Sequence, residues 1–424
     1  MKTEKPKLNT SEIFSWLEYH IIWPKLFERY KANTRPDEKT VLFADSYSQS
    51  LTENMIPIYN ELSKKGGYTL LTSFPSRENG LINKLPKILR KIFNRIRRSY
   101  SYIDFLKKYA QCGTLILTES YLPAYAVQRP KDTKVIQLWH GCGAFKKWGY
   151  STLDNSFGAS RKSIEAFPMH NCYTLVPVSS SNVSFAYREA FHMEKNPECI
   201  KPLGVPYTDI YYNQDFIANA KENLCRYCIR KGSRMKNLPH YFDGKKVILY
   251  APTFRGTGIT NATGGSNIDI EKIHEFLGED YIFLIKLHPF AKDRPEIPRE
   301  LSHFACDISD VSTAEALAAA DLLITDYSSI IFEYSLLKRP MLFFPYDLDS
   351  YIDERGFYYP YKEFVPGLIA YNQEDLQKYI KSVFDGIDKT IFNEEIKKSI
   401  TFKEKYMSAC AGHSTENIIR FALF

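Results

Sequence analysis

Nine short apolar runs punctuate the chain, and each gives way to a polar turn and a helix-like stretch. Five fall in the first half: TVLFADS (40–46), YTLLTS (68–73), TLILTES (114–120), VIQLW (135–139) and TLVPVS (174–179). Four fall in the second: KVILYAPT (246–253), YIFLIKLHP (281–289), LLITD (322–326) and MLFFPY (341–346). Near-continuous apolar runs between helices predict parallel strands buried on both faces. Two clusters of strands predict an α/β chain of two such domains. The pattern assigns 1–205 to an N-terminal domain, 206–240 to a basic, strand-poor linker and 241–400 to a C-terminal domain. Residues 401–424 are predicted as a helix packing back on the N-terminal domain. In open parallel sheets a ligand sits beyond the carboxyl ends of the strands, so chemistry is expected on loops just after them.

Charge changes this picture locally. The 424 residues carry a net charge of +7, with 44% hydrophobic and 25% charged residues, which excludes a disordered or collagen-like chain. Two segments, 84–98 and 221–236, carry +7 and +5, leaving a mildly acidic body at −5. In the first, Leu85, Ile88, Leu89, Ile92, Phe93 and Ile96 recur every three or four residues. Lys84, Lys87, Arg90, Lys91, Arg95, Arg97 and Arg98 occupy the other face. That is the composition of a helix lying on an anionic membrane surface. Packing on the core and a nucleic-acid contact are the alternatives. The chain lacks the interleaved aromatic and basic residues that read single strands, so no nucleic acid is expected.

No run reaches the ~18 apolar residues of a membrane span, and the first residues lack the apolar stretch of a signal peptide. The expected location is cytoplasmic, peripheral on the inner face of the membrane. Eight scattered cysteines read as reduced thiols. Cys225 and Cys228 form a lone CxxC with no second ligand pair nearby, read as structural.

Four constellations carry candidate chemistry. In VIQLWHGCGAFKKWGY (135–150), His140 follows a strand directly, with Gly141 and Gly143 allowing close backbone approach to a phosphate and Lys146 and Lys147 adding charge. An imidazole there suits general base work. In ILYAPTFRGTG (248–258), Arg255 lies just past a strand and is of the type that grips phosphate bidentately. In FLIKLHPF (283–290), Lys286 and His288 share a face at a strand end. In 321–359 a strand ends at Asp326, and Ser328 and Ser329 open a helix that carries Glu333 one turn on. No acidic cluster suited to a metal appears, so no metal and no cofactor is expected.

These segments, together with LGVPYTDIYY (203–212), resemble the CDP-glycerol glycerophosphotransferases of teichoic acid and capsule synthesis over roughly residues 130 to 370. The resemblance implies a GT-B architecture, two Rossmann-like domains facing a central cleft, with the acceptor and membrane on the N-terminal side and the CDP donor on the C-terminal side. It implies transfer of a polyol phosphate from CDP-glycerol or CDP-ribitol to a hydroxyl of a polyprenyl-linked or polymeric acceptor, with release of CMP. His140 would be the general base and His288 would aid charge on the leaving phosphate. Gly141, Arg255, Lys286, Asp326, Ser328 and Ser329 would lie on the substrate side. Glu333, where the family usually has Asp, would meet the ribose. A homo-oligomer is compatible with this reading. The alternatives are a GT-B glycosyltransferase using a sugar nucleotide, told apart by release of UDP or GDP, and a non-catalytic nucleotide- or membrane-binding protein.

Overall fold

The computed structural model describes residues 10–75, 85–155, 158–232, 241–256, 263–264, 267–289, 291, 293–349, 351, 356–385 and 389–423. The chain divides into two compact units. The first comprises Met1–Gly141, Trp148–Tyr207 and His413–Phe424; the second comprises Cys142–Lys147 and Thr208–Gly412.

The first unit holds strands β1 (Asp37–Ala44), β2 (Thr69–Ser73), β3 (Cys112–Leu117) and β4 (Lys134–Gln137), plus the short pair β5 (Val176–Pro177) and β6 (Ile200–Lys201). The main sheet runs β2-β1-β3-β4, and every pairing is parallel. Val41, Phe43 and Ile116 on its strands pack with Met55, Ile58 and Leu62 of the helix Met55–Lys65. The last helix, Ser414–Leu423, adds Ile418, Ile419 and Ala422 to the same core.

The second unit holds β7 (Lys246–Tyr250), β8 (Tyr281–Ile285), β9 (Ala305–Asp307), β10 (Leu322–Thr325), β11 (Met341–Phe343) and β12 (Leu368–Ile369). They form one all-parallel sheet in the order β12-β11-β10-β7-β8-β9. The chain winds outward from β7 in one direction and from β10 in the other. The seam between β7 and β10 is therefore the point where strand order reverses, the usual crevice for a ligand in such sheets.

Every apolar run read from the sequence contains a strand, and β6, β9 and β12, of two or three residues each, were not anticipated. The linker expected over 206–240 needs correction in its described part. Gln214–Arg230 is a helix within the second unit, because Ala220, Leu224, Cys225 and Cys228 supply a buried stripe. Several basic groups there are met by acids: Lys221 reaches Asp321 at 2.7 Å, Arg226 pairs with Glu222, and Lys231, just past the helix, reaches Asp307 at 3.2 Å. The stretch 401–424 is likewise two elements. The helix Thr390–Tyr406 ends in the second unit, and Ser414–Leu423 belongs to the first.

The amphipathic helix spans Lys87–Tyr109. Its last turns are anchored by Phe105, Leu106 and Tyr109, all buried. Its first turns leave Ile88, Leu89, Ile92, Phe93 and Ile96 exposed, at 45–74% of their surface. Lys87, Arg90 and Lys91 are exposed beside them. Arg95 turns inward, over the Phe14 ring at 4.3 Å and toward Glu18 at 3.6 Å. Arg97 and Arg98 line a small pocket with Asp45 and Tyr121. Lys84 lies outside the described residues. Among the described residues no helix is long and apolar enough to cross a membrane.

Candidate functional site

In the first unit the chemistry gathers beyond β3 and β4. His140 stands three residues past the end of β4, and its ring is about half exposed. Its Nδ1 lies 2.7 Å from Oε1 of Glu119, two residues past the end of β3. Because a carboxylate only accepts, this contact puts a proton on Nδ1 and leaves Nε2 as the base nitrogen. The turn is fixed from below. Trp139 has φ of 59°, an uncommon conformation for a non-glycine residue, and its N–H donates to Gln137 Oε1 at 2.9 Å while its carbonyl accepts from Asn54 Nδ2 at 2.9 Å. A pocket of about 370 Å³ opens beside His140, lined among others by Thr52, Asn54, Thr118 and Tyr207. Glu119 escaped the motif reading, although it ends one of the predicted strands, where chemistry was expected. Gly141 has open space around its Cα, and its carbonyl accepts from Tyr187 at 3.3 Å.

In the second unit the loops after β7, β8 and β10 enclose a cavity of about 160 Å³ at the seam. It is lined by Lys286, His288, Ser328 and Ser329, and also by Lys146 and Thr253. Lys286 is steadied by the carbonyls of Val311 at 2.5 Å and Ser309 at 3.4 Å. Burial, then the neighbouring Lys146 and Lys286, pull the His288 pKa down to about 4, so the ring is neutral at pH 7. Phe254 packs on it at 4.8 Å. Ser328 accepts from the Ile330 N–H at 3.4 Å at the start of the helix Ile330–Leu336.

Three expected ligand contacts are placed differently. Arg255 does not line the cavity: its guanidinium is held by Asp347 at 2.5 and 2.8 Å, by Asp326 at 2.9 Å and by the Thr253 carbonyl at 2.6 Å. The rings of Tyr327, Tyr346 and Tyr351 surround it at 5.1–5.3 Å. Asp326 is 1% exposed and accepts from the N–H groups of Thr253 and Tyr327 at 2.8 and 2.6 Å, which ties the β7 and β10 loops together across the seam. Glu333 is buried in its helix and is not part of the cavity wall. Asp347 is the partner that sequence reasoning passed over.

Gly143 also changes role. Its φ is +68°, and a Cβ there would lie 2.3 Å from the Phe332 ring. The glycine is needed for packing within the second unit rather than for approach to a phosphate. Around it Phe145 meets Phe357 and Phe364 at 4.9 Å, and Lys147 N–H donates to Gly356 at 3.2 Å.

The strand-order reversal of the second unit thus gathers Lys146, Lys286, a neutral His288, Ser328 and Ser329, and the first unit holds His140 against a carboxylate. The chain belongs to the CDP-Glycerol:Poly(glycerophosphate) glycerophosphotransferase family, which it matches over residues 26–423. It is 34% identical over 383 residues to the teichoic acid ribitol-phosphate primase of Bacillus spizizenii, with 90% of each chain covered. It is 31% identical over 309 residues to the teichoic acid glycerol-phosphate primase of Bacillus subtilis, covering 72% of each. Among solved structures, the wall teichoic acid polymerase TagF matches 97% of this chain and 96% of its own with a TM-score of 0.70 at 22% identity, which shows a shared fold.

Proposed function

We propose that the protein transfers glycerol phosphate, or a related polyol phosphate such as ribitol phosphate, from a CDP-activated donor to a hydroxyl of a polyprenyl-linked or polymeric acceptor. The product side is CMP, and the setting is teichoic acid or capsule polymer synthesis. Family membership supports the donor class, and the two primases above support both polyols. The observation that carries the reading is the seam cavity with Lys146, Lys286, His288, Ser328 and Ser329 on its wall.

In this reading the donor pyrophosphate lies in that cavity. The acceptor oxygen attacks the phosphorus bearing the polyol, the bond to the CMP oxygen breaks, and CMP leaves with the electron pair. His140 Nε2 takes the hydroxyl proton, and Glu119 stabilises the resulting imidazolium through Nδ1–H. The lysines and the His288 N–H offset charge on the leaving phosphate. Arg255 acts as a positioning residue, fixing the loops through Asp326 and Asp347. A GT-B architecture belongs to this proposal. So does attachment to an anionic membrane through the exposed apolar face and flanking cations of the Lys87–Tyr109 helix.

The test is CMP release from CDP-glycerol and CDP-ribitol, each with and without lipid-linked acceptor. Acceptor-dependent CMP is expected with one of them. His140→Ala should lower kcat by ~10²–10⁴ while the protein stays folded, and Glu119→Gln should lower kcat with little change in donor KM. Undiminished turnover in His140→Ala, or release of UDP from a sugar nucleotide instead of CMP, would sink the reading.

A further inference from the structure

At the opposite ends of β8 and β9 from the seam, three residues converge that the reaction does not use. His274 lies in the helix Ile270–Leu277, which ends at Gly278 with φ of +79°. The turn that follows swings Glu279 back, and its Oε1 lies 3.0 Å from Nε2 of His274. His303, two residues before β9, brings its own Nε2 to 3.1 Å from the same oxygen. The three ligand atoms lie within 4.8 Å of one another.

The hydrogen bonding around His303 makes this more than a polar cluster. Its Nδ1 lies 2.7 Å from the Glu300 carbonyl, which can only accept, so Nδ1 carries the proton. In the neutral ring Nε2 then presents a lone pair toward a carboxylate oxygen, and two lone pairs repel. Something positive between them resolves the conflict: a second proton on the ring, or a metal ion. A ring whose far nitrogen is held by a backbone carbonyl while its near nitrogen faces a carboxylate is oriented as metal-bound histidines are. The rings are set by packing as well. His274 stands edge-on to Phe304 at 4.8 Å and to His303 at 5.4 Å, and the Glu279 backbone carbonyl accepts from Lys245 at 2.7 Å.

We infer that His274, Glu279 and His303 form a site for a divalent transition-metal ion of the zinc type, with water in the remaining position. Two imidazoles and one carboxylate are a donor set zinc accepts, at Zn–N and Zn–O distances of about 2.0–2.2 Å. Tetrahedral placement requires ligand atoms about 3.3 Å apart, so the nitrogen–oxygen separations open by only a few tenths of an ångström. The ion would clip the helix Ile270–Leu277 to the turns that lead into β8 and β9. β9 is the edge of its sheet and only three residues long, so a clip there has structural work to do.

The experiment uses the untagged full chain, stripped with EDTA and titrated calorimetrically with Zn²⁺. One equivalent should bind, and zinc should raise the melting temperature. Each of His274→Ala and His303→Ala should weaken binding by at least the ~10–100-fold that loss of an outer-shell partner costs. The double variant should melt with the metal-free wild type yet gain nothing from zinc. X-ray absorption of the loaded protein should show nitrogen and oxygen at about 2.0–2.1 Å and no sulfur near 2.3 Å. No saturable binding, equal binding in the double variant, or a sulfur shell placing the ion on cysteines would each overturn the assignment.

Discussion

His288 sits where its own charge is opposed, by burial first and then by Lys146 and Lys286. The sign has two consequences. An unfolded chain protonates this ring near pH 6.5, whereas the folded chain holds it neutral down to about pH 4, so its contribution to stability falls as pH drops through that window. A bound pyrophosphate reverses the local field and restores the charged ring, so donor binding should take up a proton below neutrality. CDP-glycerol, whose pyrophosphate is a diester and does not titrate there, should bind His140→Ala protein more tightly at pH 5 than at pH 7. Adding His288→Gln should remove most of that difference; calorimetry at the two pH values checks it, and an unchanged pH dependence refutes it. Arg255 teaches the complementary lesson. Its position in the motif is that of a phosphate ligand, yet two carboxylates already claim its guanidinium. Which anion an arginine meets is decided by loops distant in sequence, here Asp347, 92 residues away.

At the scale of elements, the two basic segments diverge although their charges are similar. In Gln214–Arg230 acids from neighbouring elements meet the lysines. In Lys87–Tyr109 the first turns keep Lys87, Arg90 and Lys91 and the apolar stripe exposed. Ile92 and Phe93 are about half exposed, at 49% and 50%, so a lipid surface would bury further area on each, about 1 kcal/mol per side chain. Replacing both with Glu should weaken partition onto anionic vesicles by roughly 30-fold, about 2 kcal/mol. Co-sedimentation with vesicles at low and physiological salt measures it, and unchanged binding would remove the helix from the membrane proposal. CMP release with a soluble acceptor analogue should persist in this variant.

At the scale of the whole molecule, the first unit is assembled from three stretches of chain, the last of them His413–Phe424. Ile419 is 2% exposed in the core that contains Phe43 and Met55. Ile419→Ala should therefore cost ~2–5 kcal/mol in chemical denaturation, although only five residues follow it in the sequence. A loss below ~0.5 kcal/mol would show the helix to be dispensable. The sequence by itself determined the parallel α/β class, because strands buried on both faces must be apolar throughout. It also singled out His140, Lys286, His288 and the two serines as candidates, because polar residues just past an apolar strand run stand out locally. It did not reveal Glu119 as the partner of His140, Asp347 as the partner of Arg255 or Phe332 as the reason for Gly143, and although it placed a terminal helix on the first unit, it did not show that 401–424 divides between the two units. Each of these depends on which loops the sheet order brings side by side. A periodicity of two or 3.6 residues reports the face a residue presents, but only the folded packing decides what meets it there.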